Sequence, residues 1–188
     1  MDFFLKAKAW QVFFILFVIP FAFQLVMLKF LLGLVYSDPI LFLVIVLGAV
    51  LIGAAVFLFW IWTLGVGINQ RIPSEIRPKV RFFKFTVIYS AASFVIYPLL
   101  VVLPLINANA VGMGGLFFLL QMFGSYCIIY GFYFIAKNLV TFEKGEPIKF
   151  RSQLGTLFLL WIFPLGIWSI QPRINEMYWS VDIDHFDQ

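Results

Sequence analysis

The sequence predicts an all-α, polytopic membrane protein with four transmembrane helices plus a fifth, short, Pro-broken segment. Three observations carry this. Of 188 residues, 63% are apolar and only 12% charged, against roughly 45–50% and about 25% in soluble domains, and mean hydropathy is +1.03. The apolar residues fall in runs long enough to cross a hydrocarbon core of about 30 Å, which takes about 20 helical residues. The Lys and Arg residues gather in alternate connections between those runs. Barrel strands of alternating polarity are absent, and lipid offers backbone polar groups no partner outside a helix or a closed barrel. The composition also excludes disorder and leaves too little polar chain for a separate soluble domain. Residues 1–175 read as one helical membrane domain and 176–188 as an acidic tail.

The first run, 10–35, follows Lys6 and Lys8 and passes through Gln24 and Lys29. It is longer than the roughly 7–15-residue apolar stretch of a signal peptide and lacks a cleavage pattern, so it reads as a retained helix. Lys29 lies near its end, where its amine snorkels toward headgroups. The second run, 40–68, would measure about 43 Å if straight, so it tilts, bends near Gly65 and Gly67, or emerges with Trp60 and Trp62 at headgroup level. The third and fourth runs are 85–106 and 114–136. The fifth, 154–170, is interrupted by Pro164-Leu165-Gly166. Two topologies stay open: a kinked helix that just spans, which hydropathy favours, leaving the tail outside the cytoplasm, or a re-entrant segment with a cytoplasmic tail.

Short loops rich in Lys and Arg stay on the cytoplasmic side. The loop 69–84 carries Arg71, Arg77, Lys79, Arg81 and Lys84 against Glu75, and the loop 137–153 carries Lys137, Lys144, Lys149 and Arg151 against Glu143 and Glu146; the turns 37–39 and 107–112 carry no base. Both basic loops and the amino terminus are therefore expected in the cytoplasm. The net charge of +4 reflects topology rather than a nucleic-acid partner. Arg71, Arg77, Lys79, Arg81 and Lys84 are expected to touch anionic lipid headgroups, at roughly 1 kcal/mol per base near the surface. A weak echo links Asn69, Pro78, Arg81 and Tyr97-Pro98-Leu99 to Asn138, Pro147, Arg151 and Phe163-Pro164-Leu165. It reads as two related hairpins, a pattern seen in transporter repeats that chance also produces.

No Asp, Glu, Arg or His falls near the middle of a spanning run, and the sole histidine, His185, lies in the tail. Proton relays and ion coupling usually need such groups. Without HExxH, a P-loop, GxSxG or a second His, no catalytic, metal or cofactor site is expected, and the reading is of a protein that is not an enzyme. The lone Cys127 reads as a buried structural thiol. Tyr126, Tyr130 and Tyr133 recur at helical spacing in the fourth run, beside Gln121 and Ser125, with Gly124 and Gly131 a heptad apart. Together with Ala49 and Gly53 in the second run, they read as faces for helix packing or for a partner; a tyrosine-lined substrate groove is the alternative. Trp10, Trp168, Tyr178 and Trp179 fit interfacial belts, and 181–187 alternates apolar and acidic residues with a strand-like period.

The stretch Phe163-Pro164-Leu165-Gly166-Ile167-Trp168-Ser169-Ile170-Gln171-Pro172-Arg173-Ile174-Asn175, after Gly65-Val66-Gly67-Ile68-Asn69, resembles small bacterial polytopic membrane proteins that end in a G-I-W-x-I-Q-P-x-I-N sequence. The resemblance covers roughly the last quarter well and the rest loosely. It implies a bacterial inner-membrane setting, and it brings no activity or catalytic residues. The function expected is that of a non-catalytic accessory or structural subunit of a larger bacterial inner-membrane complex, in contact with lipids and membrane-protein partners. A small transporter or lipid-handling protein is the alternative.

Overall fold

The computed structural model describes residues 3–106 and 114–184, the side chains at 29–32, 34–36, 39–40, 97–106, 114–117 and 180–184 excepted. All regular structure among the described residues is helical: α1 (Phe3–Lys6), α2 (Ala9–Phe13), a π-helical turn (Phe14–Val18), α3 (Ile19–Ser37), α4 (Pro39–Arg71), α5 (Arg81–Ile106), α6 (Gly114–Lys144), a 3-10 turn (Phe150–Gln153), α7 (Leu154–Trp161) and α8 (Phe163–Asp184). Within the described residues three stretches are long and apolar enough to cross a membrane: Ala9–Leu28, Leu41–Arg71 and Phe118–Lys144. The expected third span, 85–106, lies in one 26-residue helix, α5; its side chains beyond residue 96, with the turn 107–112, lie outside the described residues, as do the Lys29 side chain and His185.

Local chemistry sets these boundaries. Pro20 has no N–H and its ring crowds the carbonyl four residues back, which is why the first span opens into a wide π turn just before it. Between α3 and α4, Asp38 is an N-cap whose carboxylate accepts the Leu41 N–H at 3.0 Å, and Pro39 fills the first helical position, where no N–H is needed. α4 has 33 residues and α6 has 31, about 50 and 46 Å at 1.5 Å per residue. Both exceed the thickness of a hydrocarbon core, about 30 Å.

The core sits at one end of this assembly. Leu64, Ile68 and Ile72 of the α4 end, Phe83 of α5, Ile135 and Leu139 of α6, and Leu160, Ile170 and Ile174 of α7 and α8 are fully enclosed, together with Leu5 and Val12. Gly65 admits the Phe83 ring, which a Cβ there would overlap, and Phe83 stacks on Phe134 with centroids 4.6 Å apart. Away from this end the helices present apolar side chains outward: only 6% of the apolar window is buried in each of the first two spans, against 33% in Phe118–Lys144.

The segment 154–170 does not form a single crossing, which corrects the span that hydropathy favours. α7 stops after 8 residues, about 12 Å, and the chain reverses at Ile162, whose carbonyl accepts the N–H groups of Leu165 and Gly166 at 3.0 Å each. Pro164 cannot extend the ladder of α7, and Gly166 sits so tightly on Leu159 that a Cβ would overlap the Leu159 carbonyl oxygen. The returning α8 brings Arg173 to Thr156, Nη1 to Oγ1 at 3.2 Å. At the corner, Phe163 reaches Phe57 and Trp60, the middle of α4. Residues 181–184 continue α8 as helix, so the strand-like alternation there does not produce a strand.

Candidate functional site

The packed end is organised around buried amides. Asn69, in the last turn of α4, and Asn138, in the last third of α6, are both buried. The Asn69 Nδ2 donates to the Pro78 carbonyl at 2.9 Å and to the Asn138 Oδ1 at 3.3 Å, while the Asn138 Nδ2 donates to the Gly65 carbonyl at 3.3 Å. The two asparagines of the sequence echo thus meet and tie α4, α6 and the basic loop 69–84 together. Such groups cost free energy when buried alone, and pairing offsets it.

A second amide system fixes the amino terminus. The Gln171 Nε2 donates to the carbonyls of Phe4 at 2.7 Å and Ala7 at 3.0 Å, and the Asn175 Nδ2 donates to the Ala7 carbonyl at 3.2 Å. These satisfy carbonyls at the end of α1 that a four-residue helix leaves open. Beside them Arg173 binds Glu143 through two hydrogen bonds of 2.7 and 2.6 Å, the fork geometry that suits a guanidinium to a carboxylate. Tyr178, expected at the interfacial belt, is instead buried, with the Lys6 amine 4.9 Å and the Arg71 guanidinium 4.3 Å from its ring centre. Trp10, Trp168 and Trp179 remain about half exposed.

The five bases expected at headgroups separate into roles. Arg71 donates back to the Gly67 carbonyl at 3.1 Å beneath Tyr178. Arg77 caps the end of α4, its Nε on the Ile72 carbonyl at 2.9 Å and its Nη2 on the Gln70 carbonyl at 3.2 Å. Lys79, Arg81 and Lys84 are exposed, Lys84 with its amine 5.9 Å from the Trp62 ring centre. Arg77, Lys79 and Lys84 line one cleft of about 400 Å³ with Asn69, Gln70 and Ser74. The neighbouring Glu75 is held below the usual carboxylate range by its own backbone hydrogen bond, then by Ser74 and the Arg77 charge.

Two of the three tyrosines on the α6 face are half-buried and make ring contacts within the chain. Tyr130 meets Phe82 edge-on at 4.7 Å and stands beside Tyr133, which contacts Phe150; Tyr126 is exposed. Gly124 packs on Ser93 of α5, and Gly131 faces Ile61 of α4. Gln121 is half-buried, and its Oε1 has no partner among the described residues. Cys127 is a buried free thiol. Outside this face, Ile129, Phe132, Leu154, Leu157, Phe158 and Trp161 line an apolar groove of about 470 Å³ between α6 and α7.

Sequence reasoning did not anticipate the anchoring of α1 by Gln171. Its signal was present: Ile167, Ile170, Ile174 and Met177 follow a helical apolar stripe, and a glutamine on such a stripe must find buried partners. No family model, curated protein or solved structure matches the chain.

Proposed function

We propose that the chain is a non-catalytic, membrane-embedded subunit of a larger assembly in a bacterial inner membrane, with the amino terminus and both basic loops in the cytoplasm. The observation that carries this reading is the sparsely packed apolar length of α4. Its span has only 6% of its apolar window buried, and nothing stands within 4 Å of where a Cβ would sit on Gly48 or Gly53. Gly124 and Gly131 of α6 use their small size against neighbours in the same chain, whereas these glycines do not. In lipid, helices associate by close backbone approach at small residues, because apolar burial alone gives no preference for protein over acyl chain. The basic loops support the orientation, and the G-I-W-x-I-Q-P-x-I-N resemblance supports the bacterial setting.

The test is purification of the tagged chain from its own membrane in mild detergent, with native mass measurement of what travels with it. A stoichiometric membrane partner is expected, lost in Gly48→Leu/Gly53→Leu while the chain keeps its own unfolding temperature. A monomer carrying only lipid would overturn the reading. The apolar groove between α6 and α7 favours a second one, lipid handling: at about 30 Å³ per water-sized group, its 470 Å³ accommodates an acyl chain.

A further inference from the structure

We infer that the cleft between the end of α4 and the start of α5 is a phosphate-group site, filled by the headgroup of an anionic phospholipid. Three cations, Arg77, Lys79 and Lys84, line it together with Asn69, Gln70 and Ser74, and its lining contains no carboxylate. Glu75, next to the lining in sequence, accepts the Ser74 hydroxyl at 2.7 Å and stays charged, so it offsets part of the Arg77 charge and leaves Lys79 and Lys84 to attract an anion. Like charges around a shared cavity repel one another, and an anion between them converts that repulsion into attraction.

The cleft is built rather than incidental. Arg77 is fixed by its hydrogen bonds to the Ile72 and Gln70 carbonyls, so its charge is placed without further loss of side-chain freedom. Asn69, on the cleft wall, is buried and anchored to Pro78 and Asn138, which couples the site to the packed end of the molecule. The amine of Lys84 stands over Trp62, a residue type that settles at headgroup depth.

Depth and size choose the source of the phosphate. The wall begins at Val66 and Asn69, where the apolar run of α4 gives way to Gln70 and Arg71, the level of the lipid phosphates. A volume of about 400 Å³ equals roughly a dozen water-sized groups of about 30 Å³, enough for a phosphate with its glycerol and too little for a folded partner.

The experiment is native mass spectrometry of the full chain in mild detergent, titrated with phosphatidylglycerol or with zwitterionic phosphatidylethanolamine, in parallel with thermal unfolding in inorganic phosphate. The intact chain should retain phosphatidylglycerol in preference. Lys79→Gln/Lys84→Gln should retain it about tenfold less or weaker still, since a hydrogen bond to a charged group contributes at least about 1.5 kcal/mol. Lys144→Gln/Lys149→Gln, with the same net charge but an unaltered cleft, should behave as the original, and so should the elution volume of every variant. Equal losses in the two double variants would reduce the effect to general surface charge and overturn the site. Stabilisation by inorganic phosphate that is lost in Lys79→Gln/Lys84→Gln, without selective lipid retention, would overturn the lipid as its occupant.

Discussion

Asn138 shows how much one side chain holds. It is fully enclosed, gives one amide proton to the Gly65 carbonyl and takes one from Asn69. Asn138→Ala would remove two hydrogen bonds inside a packed region, each contributing about 0.5–1.5 kcal/mol net. Ser125 is the contrasting case on the same helix: it is exposed, and its hydroxyl only returns to the Gln121 carbonyl of its own helix. Unfolding in detergent followed by circular dichroism should therefore show a clear loss for Asn138→Ala and a change within about 0.5 kcal/mol for Ser125→Ala. Equal effects would remove Asn138 from the centre of the packed end. The echo of Asn69 and Asn138 was legible in the sequence as spacing, but not as contact. Spacing along the chain says nothing of which helices pack, and both residues fall where a basic loop begins, the place where a polar residue needs no special explanation.

At the scale of elements, the corner between α7 and α8 is the decisive feature. Hydropathy sees residues 154–170 as one apolar run, since it sums side chains and ignores the backbone. The fold is decided by Pro164, which cannot extend the ladder of α7, and by Gly166, which lets the return helix lie on the Leu159 carbonyl. Gly166→Ala should force α7 and α8 apart and lower the unfolding temperature by many degrees, or prevent folding. Gly155→Ala makes the same chemical change within α7, where nothing stands within 4 Å of the new Cβ, and should stabilise by about 0.5–1 kcal/mol through helix propensity alone. A tolerated Gly166→Ala would mean that the hairpin does not close as described. The extent of α4, by contrast, was nearly plain in the sequence, because a long uninterrupted apolar run has only one solution in lipid, whereas α6 continues eight residues past the expected end at 136, through Lys137 into what read as a basic loop.

At the scale of the whole molecule, the two faces of the design separate along the helix axes: a packed polar-lined end and an apolar far half left for lipid or partners. The first residues of the chain belong to the packed end. In the sequence Lys6 and Lys8 read only as orientation signals, since a four-residue helix has no periodicity to recognise, yet Leu5 lies against Gly67 and Gln171 holds the Phe4 and Ala7 carbonyls. This coupling predicts strong non-additivity. In the full chain, Gln171→Leu takes the donor from the Phe4 carbonyl, leaves the Ala7 carbonyl with Asn175 alone, and should destabilise by about 1–3 kcal/mol. A chain lacking residues 1–8 should itself be weaker, through loss of buried Phe4, Leu5 and Ala7. With the acceptors already gone, however, Gln171→Leu should cost little more, because a leucine on the apolar stripe of α8 replaces an amide that has lost its purpose. Thermal unfolding of the four chains in one detergent measures the cycle directly. Additive losses would show that Gln171 stabilises the packed end through something other than α1, and would detach the amino terminus from the core.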